Sequence, residues 1–214
     1  MLKRPANEKE LQKQEAIGVI RASRFVRVYA KSHKIINIKT ASDIHKEIFR
    51  IAWPEIAGKY RNEELKISFS KHLPPHFSKV SELMHKANFE FKERLEKLKE
   101  VEGILFMGDK PTDEIIHHID DIVSCAAWVH HLITYIHPFR EGNGRTARLT
   151  ANLILERYGL VGISIKIEKE NKNIYRQALS QIDTMEDYEP LKSIIYEGLL
   201  ERYNGVSVKY YHEK

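Results

Sequence analysis

Apolar positions recur at three- and four-residue spacing along most of the chain, a period that predicts helices almost throughout. One amphipathic stretch covers about residues 7–30. A second follows Thr40-Ala41-Ser42-Asp43, a cluster of N-capping side chains, carries Ile44, Ile48, Phe49, Ala52 and Trp53, and stops at Pro54. Another helix is expected over about 78–101. The next, about 112–136, bears Ile115, Ile119, Ile122, Val123, Ala126, Val129, Ile133 and Ile136, a stripe wide enough to mark a helix central to the fold. After a glycine-rich break the pattern resumes over about 143–157, ends at Gly159, and returns near 169–182 and 190–203. One segment departs from the period: Lys66-Ile67-Ser68-Phe69-Ser70-Lys71 alternates like a short strand, and Leu73-Pro74-Pro75-His76 forces an extended turn. The expected architecture is all-α, a single domain over residues 1–214 with one short β excursion.

Composition narrows the class. With 214 residues, 42% hydrophobic and 30% charged, the chain can bury a core and is not globally disordered. A lone cysteine, Cys125, excludes an intramolecular disulfide framework and multi-cysteine zinc sites, and suits a reducing compartment. The longest run free of Asp, Glu, Lys and Arg, the 18 residues from Ile122 to Phe139, approaches membrane length. It holds three histidines, Ser124, Thr134 and Pro138, so it reads as a core helix. No apolar run follows Lys3 and Arg4, no secretory signal is expected, and the protein reads as soluble and cytoplasmic, with no membrane partner. The net charge of +5 leans toward anionic partners, nucleotides or nucleic acid, yet the basic residues are interleaved with acids, as over 93–100.

The chemistry concentrates in His137-Pro138-Phe139-Arg140-Glu141-Gly142-Asn143-Gly144-Arg145-Thr146-Ala147-Arg148. Pro138 disfavours α geometry at His137, so the long helix ends there with an imidazole at a loop mouth. Gly142 and Gly144 precede a fresh helix whose first N–H groups form an anion cradle. Arg145 and Arg148, three apart, project from its first turn toward phosphate oxygens, a placement that opposes the helix dipole unless an anion binds. Glu141 would repel that anion without a cation between them, which points to Mg²⁺. A dinucleotide fingerprint is matched literally by Gly142, Gly144 and Ala147, but a helix and a proline precede it in place of a strand. No Gly-Lys-Ser/Thr follows, so this is not a P-loop.

This segment resembles the signature of the Fic family, His-x-Phe-x-Asp/Glu-Gly-Asn-Gly-Arg-x-x-Arg, at every defined position. Flanking similarity extends over about residues 42–182. Ala57-Gly58-Lys59-Tyr60-Arg61 looks like the entry to the family core, the Ser70–Pro75 turn like its flap hairpin, and Tyr175-Arg176-Gln177-Ala178-Leu179 like the helix that closes the nucleotide pocket. The resemblance implies a Fic-type helical domain with a short β-hairpin flap, and AMP transfer from ATP to a Ser, Thr or Tyr hydroxyl of a target protein with release of pyrophosphate. Carried over by position, His137 is the general base and Glu141 holds Mg²⁺. Gly142, Asn143, Gly144 and Arg145 cradle the phosphates, and Arg148 orients the γ-phosphate. Phe139 anchors the loop, and Ser70, Lys71 and Tyr175 are candidates for the adenine pocket.

Ser193-Ile194-Ile195-Tyr196-Glu197-Gly198 matches a second family pattern, Ser/Thr-x-x-x-Glu-Gly/Asn, on the last helix. It implies a C-terminal inhibitory helix over about 190–203, in which Glu197, steadied by Ser193, pairs with Arg148 and displaces the ATP γ-phosphate. The same resemblance raises Glu197-dependent removal of AMP from a modified protein as the closer rival. Self-modification at Tyr196 and a homo-oligomer would couple naturally to such a helix. Two remoter readings have less to stand on. His117, His118, Asp120, Asp121, His130 and His131 suggest an HD-type metal site, but adjacent histidines on a helix point about 100° apart. A basic nucleic-acid-binding module lacks both a recognition-helix signature and aromatic interleaving.

Overall fold

The computed structural model describes residues 4, 5, 7–32, 34–67, 70, 72–105, 112–167 and 169–204. The helical period is realised close to where the spacing places it. α1 (Glu8–Lys31) begins at Asn7, whose side chain accepts from the Lys9 and Glu10 N–H groups. α5 (Asp113–Ile136) begins at Thr112, whose hydroxyl accepts from Ile115 N–H. α6 (Asn143–Arg157) keeps its expected bounds, while α7 (Lys169–Met185) runs about a turn further and α8 (Glu189–Asn204) closes the described chain. A 3-10 turn, Phe77–Lys79, leads into α3 (Val80–Glu96), and the short α4 (Glu102–Leu105) is not legible in the spacing.

One expectation needs correcting. α2 (Lys39–Phe49) begins before the proposed cap cluster, with Thr40 and Ala41 buried in its first turn. Its early N–H groups are met instead by side chains from outside the helix: Asn37 Oδ1 accepts from Lys39 N–H and Asn88 Oδ1 from Ile38 N–H. The hairpin expected over 66–71 falls partly outside the described residues, and those described between α2 and the 3-10 turn carry no strand. Ser68, Phe69 and Lys71 lie outside the described residues.

α5 is the axis of the molecule. From Ile122 onward its stripe is fully enclosed, whereas Ile115 and Ile119 near its start remain partly exposed. α6 lies along α5, α1 and α2 pack on α6, and α3, α7 and α8 pack on α5. The approach of α1 to α2 depends on Gly18, where a Cβ would stand 1.9 Å from the Ile48 carbonyl oxygen. Among the described residues no helix is long and apolar enough to cross a membrane. The consequence for function is the α5–loop–α6 corner, which presents one helix C-terminus and one helix N-terminus side by side.

Candidate active site

The corner starts with an unusual backbone. His137 caps α5 in the left-handed region (φ 52, ψ 56), a conformation that costs a residue with a Cβ of order 1 kcal/mol. Arg61 offsets that cost. Its Nε donates to the His137 carbonyl at 2.8 Å, its backbone N–H to the Pro138 carbonyl at 2.8 Å, and its Nη2 to the carbonyls of Ile136 and Pro75. A buried cation thereby satisfies the orphan carbonyls at the negative end of α5. The His137 Nδ1 lies 3.2 Å from the Thr134 carbonyl, an acceptor only, so Nδ1 carries the proton and Nε2 keeps its lone pair. Burial, with Arg61 and His72 nearby, lowers the His137 pKa against the opposing pulls of Thr134 and Glu141, and keeps the imidazole neutral near pH 7.

Between His137 and α6 the loop is tied from inside. The Asn143 side chain, buried, accepts from Phe139 N–H at 2.8 Å and donates to Phe139 O at 2.7 Å. Asn143 therefore spends its amide on the loop, and what it offers a ligand is its backbone N–H. Gly142 stands at φ 76, and a Cβ there would meet the Phe49 ring at 2.4 Å. Thr146 N–H already bonds the Gly142 carbonyl, so the N–H groups of Asn143, Gly144 and Arg145 form the unpaired first turn of α6.

The charged residues divide. Glu141 Oε1 accepts from Gly142 N–H at 2.9 Å and from Arg145 at 3.3 Å, and its side chain is 54% exposed. Arg145 also bridges to Glu15 of α1 at 2.7 Å and lies 5.0 Å above the Phe49 ring. Arg148 faces the other way. A Cβ at Gly144 would stand 3.4 Å from its Nη1, so its guanidinium lies over the first turn of α6. Its guanidinium lies beside the Tyr175 hydroxyl, which pairs with His130 Nε2 at 3.3 Å. Burial pushes the Tyr175 pKa up to about 12 and the His130 pKa down to about 3, so both stay neutral behind the arginine. Among the described residues His130 Nδ1 has no partner.

Ser70 is exposed, and its hydroxyl accepts from His72 N–H. Lys71 lies outside the described residues. On α8, Ser193 is exposed and Glu197 half-buried, while their neighbours fasten the helix to α5. Tyr196 donates to Asp120 at 2.7 Å, and Lys192 donates to Asp120 and Glu189. Burial works against the Asp120 charge, yet these donors hold its pKa below the usual value.

Sequence reasoning missed Glu15, His45 and the roles of Arg61 and His72. Glu15 falls on the buried stripe Leu11, Gly18, Ala22, Val26, and His45 on Ala41, Ile44, Ile48, Phe49. A charged or polar residue on a core-facing stripe requires a partner, and that signal was available. His72 Nε2 donates to the Tyr135 carbonyl at 2.8 Å with the two rings stacked at 4.3 Å, which fastens residue 72 to the last turn of α5.

Comparison with known proteins agrees with this corner. A profile described as Fic/DOC family matches residues 35–155. Protein adenylyltransferase Fic of Nematostella vectensis is 31% identical over 172 residues, 80% of this chain and 34% of that protein. Protein adenylyltransferase fic-1 of Caenorhabditis elegans is 28% identical over 72% of this chain and 26% of its own length. The chain thus spans about a third or less of these relatives. A solved structure of Fic-1 from C. elegans superposes with TM-score 0.65 at 24% identity, covering 94% of this chain and 53% of that one. The BepC protein of Bartonella tribocorum, solved with bound AMPPNP, gives 0.63 at 15% identity, over 91% of this chain and 88% of that one. With the family profile covering more than half of the sequence and the signature loop folded between α5 and α6, the chain belongs to the Fic/DOC family.

Proposed function

We propose that this chain is a protein adenylyltransferase, which moves AMP from ATP onto a serine, threonine or tyrosine hydroxyl of a target protein. The observation that carries this reading is the His137–Thr134 hydrogen bond, which leaves Nε2 as a base at the mouth of the α6 N-terminal cradle. The target oxygen attacks the α-phosphorus, the bond to the β-phosphate oxygen breaks, pyrophosphate leaves, and the hydroxyl proton passes to His137 Nε2. The first-turn N–H groups of α6 and Arg148 hold the phosphates. The named function of the relatives supports the same chemistry.

Glu141 suits Mg²⁺, being a largely exposed oxygen donor beside that cradle. Among the described residues no cluster of three or more His, Cys, Asp and Glu surrounds it, so Glu141 would be the protein donor that holds the ion. The ion supplies charge neutralisation at the phosphates. We further assign Glu197 to inhibition through Arg148, and Ser70, Lys71 and Tyr175 to the adenine pocket. The buried, single Cys125, whose pKa burial raises to about 12, fits a cytoplasmic setting. Self-modification at Tyr196 would first require its bond to Asp120 to break.

Intact-mass and radiolabel assays with ATP and Mg²⁺ on wild type, Glu197→Gly, and Glu197→Gly with His137→Ala test the reading. An AMP adduct that appears in Glu197→Gly and vanishes with His137→Ala is the expected result. Absence of ATP binding overturns the proposal. Release of AMP from a modified target, lost in Glu197→Gly, would reassign that glutamate to hydrolysis.

A further inference from the structure

The proposed metal-binding carboxylate belongs to an exposed loop residue, yet its peptide is gripped from a distant helix. His45 of α2 is fully buried and stacks on Phe139 with ring centroids 4.0 Å apart and planes 8° apart. Gly58 N–H donates to His45 Nδ1 at 2.9 Å, so Nδ1 carries the lone pair. The ring proton is therefore on Nε2, which donates to the Glu141 carbonyl at 3.0 Å. Both ring nitrogens are committed in opposite senses, so tautomer, ring flip and position are all fixed at once. The far end of Glu141 is held separately, by Gly142 N–H and by Arg145, which Glu15 anchors from α1.

We infer that His45 is a positioning residue for divalent-cation binding: through the Glu141 carbonyl it fixes where the carboxylate meets the metal on the bound nucleotide. The inference rests on the adenylyltransferase reading of the site. Its physical ground is that groups placing a metal ligand govern affinity nearly as strongly as the ligand itself. A core role alone would need only an aromatic ring between Phe49 and Phe139. The two hydrogen bonds exceed that need, and one of them ends on the residue expected to hold the metal.

Two variants separate the bonds. His45→Gln places an amide donor near Nε2 and keeps the Glu141 bond. His45→Asn places its amide near Nδ1, keeps the Gly58 bond and loses the one to Glu141. Calorimetric titration of AMPPNP with and without Mg²⁺, alongside a thermal melt, reads the outcome without turnover. In wild type Mg²⁺ is expected to tighten AMPPNP binding. The expected result is that His45→Asn loses about tenfold of that tightening while its Mg²⁺-free affinity stays unchanged, and that His45→Gln retains it even if both melt lower. Tightening kept in His45→Asn, or lost in His45→Gln, overturns the inference. Should the Asn variant fail to fold, His45→Phe, which keeps the ring stack and removes both hydrogen bonds, takes its place: loss of the tightening is expected, and tightening kept there overturns the inference. A wild type that binds AMPPNP with no response to Mg²⁺ overturns the adenylyltransferase reading first, and this inference with it.

Discussion

The two walls of the candidate site are held by different means. On the wall formed by the end of α5, the loop and the start of α6, the fixing groups are interior side chains bonded to main chain. Asn143 ties Phe139, Arg61 ties Ile136, His137 and Pro138, and His45 ties Gly58 to Glu141. On the other wall, the described residues of segment 62–76, the ties are largely exposed side-chain pairs: Arg140 with Glu63 and His76 with Glu64, plus His72 on Tyr135 O. Exposed pairs contribute about 0–1 kcal/mol each, whereas a buried main-chain group left unpaired costs about 1–3 kcal/mol. The first wall is therefore preorganised for charge and proton positioning, and the second is held more weakly. Arg61 joins them, because the guanidinium that holds His137 O also donates to Pro75 O.

The sharpest break of this contrast is His137→Ala. If the chemistry resides in the rigid wall, AMP transfer falls about 10³-fold while ATP affinity measured by calorimetry stays within about twofold, since the base contributes to proton transfer and not to the phosphate cradle. In the active enzyme the acid limb of the rate–pH profile is expected below pH 6.5, because burial lowers the His137 pKa and only its neutral form accepts a proton.

Next in size is Asn143→Ala set against His72→Ala. The first strands a buried N–H and a buried carbonyl of Phe139, worth about 3 kcal/mol together, and the melting temperature should drop by about 10 °C. The second removes one bond and a ring stack at the surface, and its melting temperature should move by less than about 3 °C, with the effect appearing in target KM. Equal losses would erase the distinction between the walls.

Much of the rigid wall is legible in the spacing of residues, and the reason is local. Helix α6 keeps its expected bounds because Gly142, Asn143 and Gly159 punctuate it, and the Pro138 argument places the end of α5 at His137. What escapes are partners brought in from far along the chain: Glu15 reaches Arg145 across 130 residues and His45 reaches Glu141 across 96. Asn143 has the type and place of a phosphate ligand, yet its amide turns inward, a choice set by the Phe139 peptide it meets.

Acid should weaken the rigid wall in a directed way. Neutral His130 is held by burial, with its pKa near 3 in the fold against about 6.5 when unfolded. The unfolded chain thus takes up the proton first, so this contribution to stability is complete above pH 6.5 and is lost as pH falls toward 3. Between pH 6.5 and 5 the loss from this one group is about 2 kcal/mol. Urea unfolding at pH 7.5, 6.5 and 5 measures it, and His130→Gln should shallow the dependence. A slope unchanged by that substitution would mean that His130 is already protonated in the fold.

The smallest expected effect concerns Arg148, the one cradle cation whose described partner is a neutral hydroxyl. Tyr175→Phe removes that hydroxyl and leaves His130 Nε2 without its donor, while the ring still packs. Arg148 keeps its charge but loses its polar neighbour, so one polar contact of a charged group is at stake, about 1 kcal/mol after solvent competition. ATP KM should rise about fivefold with kcat nearly constant, because the guanidinium is expected to grip phosphate equally in ground and transition states. A fall in kcat at constant KM would instead give Tyr175 and Arg148 a share in stabilising the transferring phosphoryl group, and would move the chemistry from the His137 end of the loop toward α7.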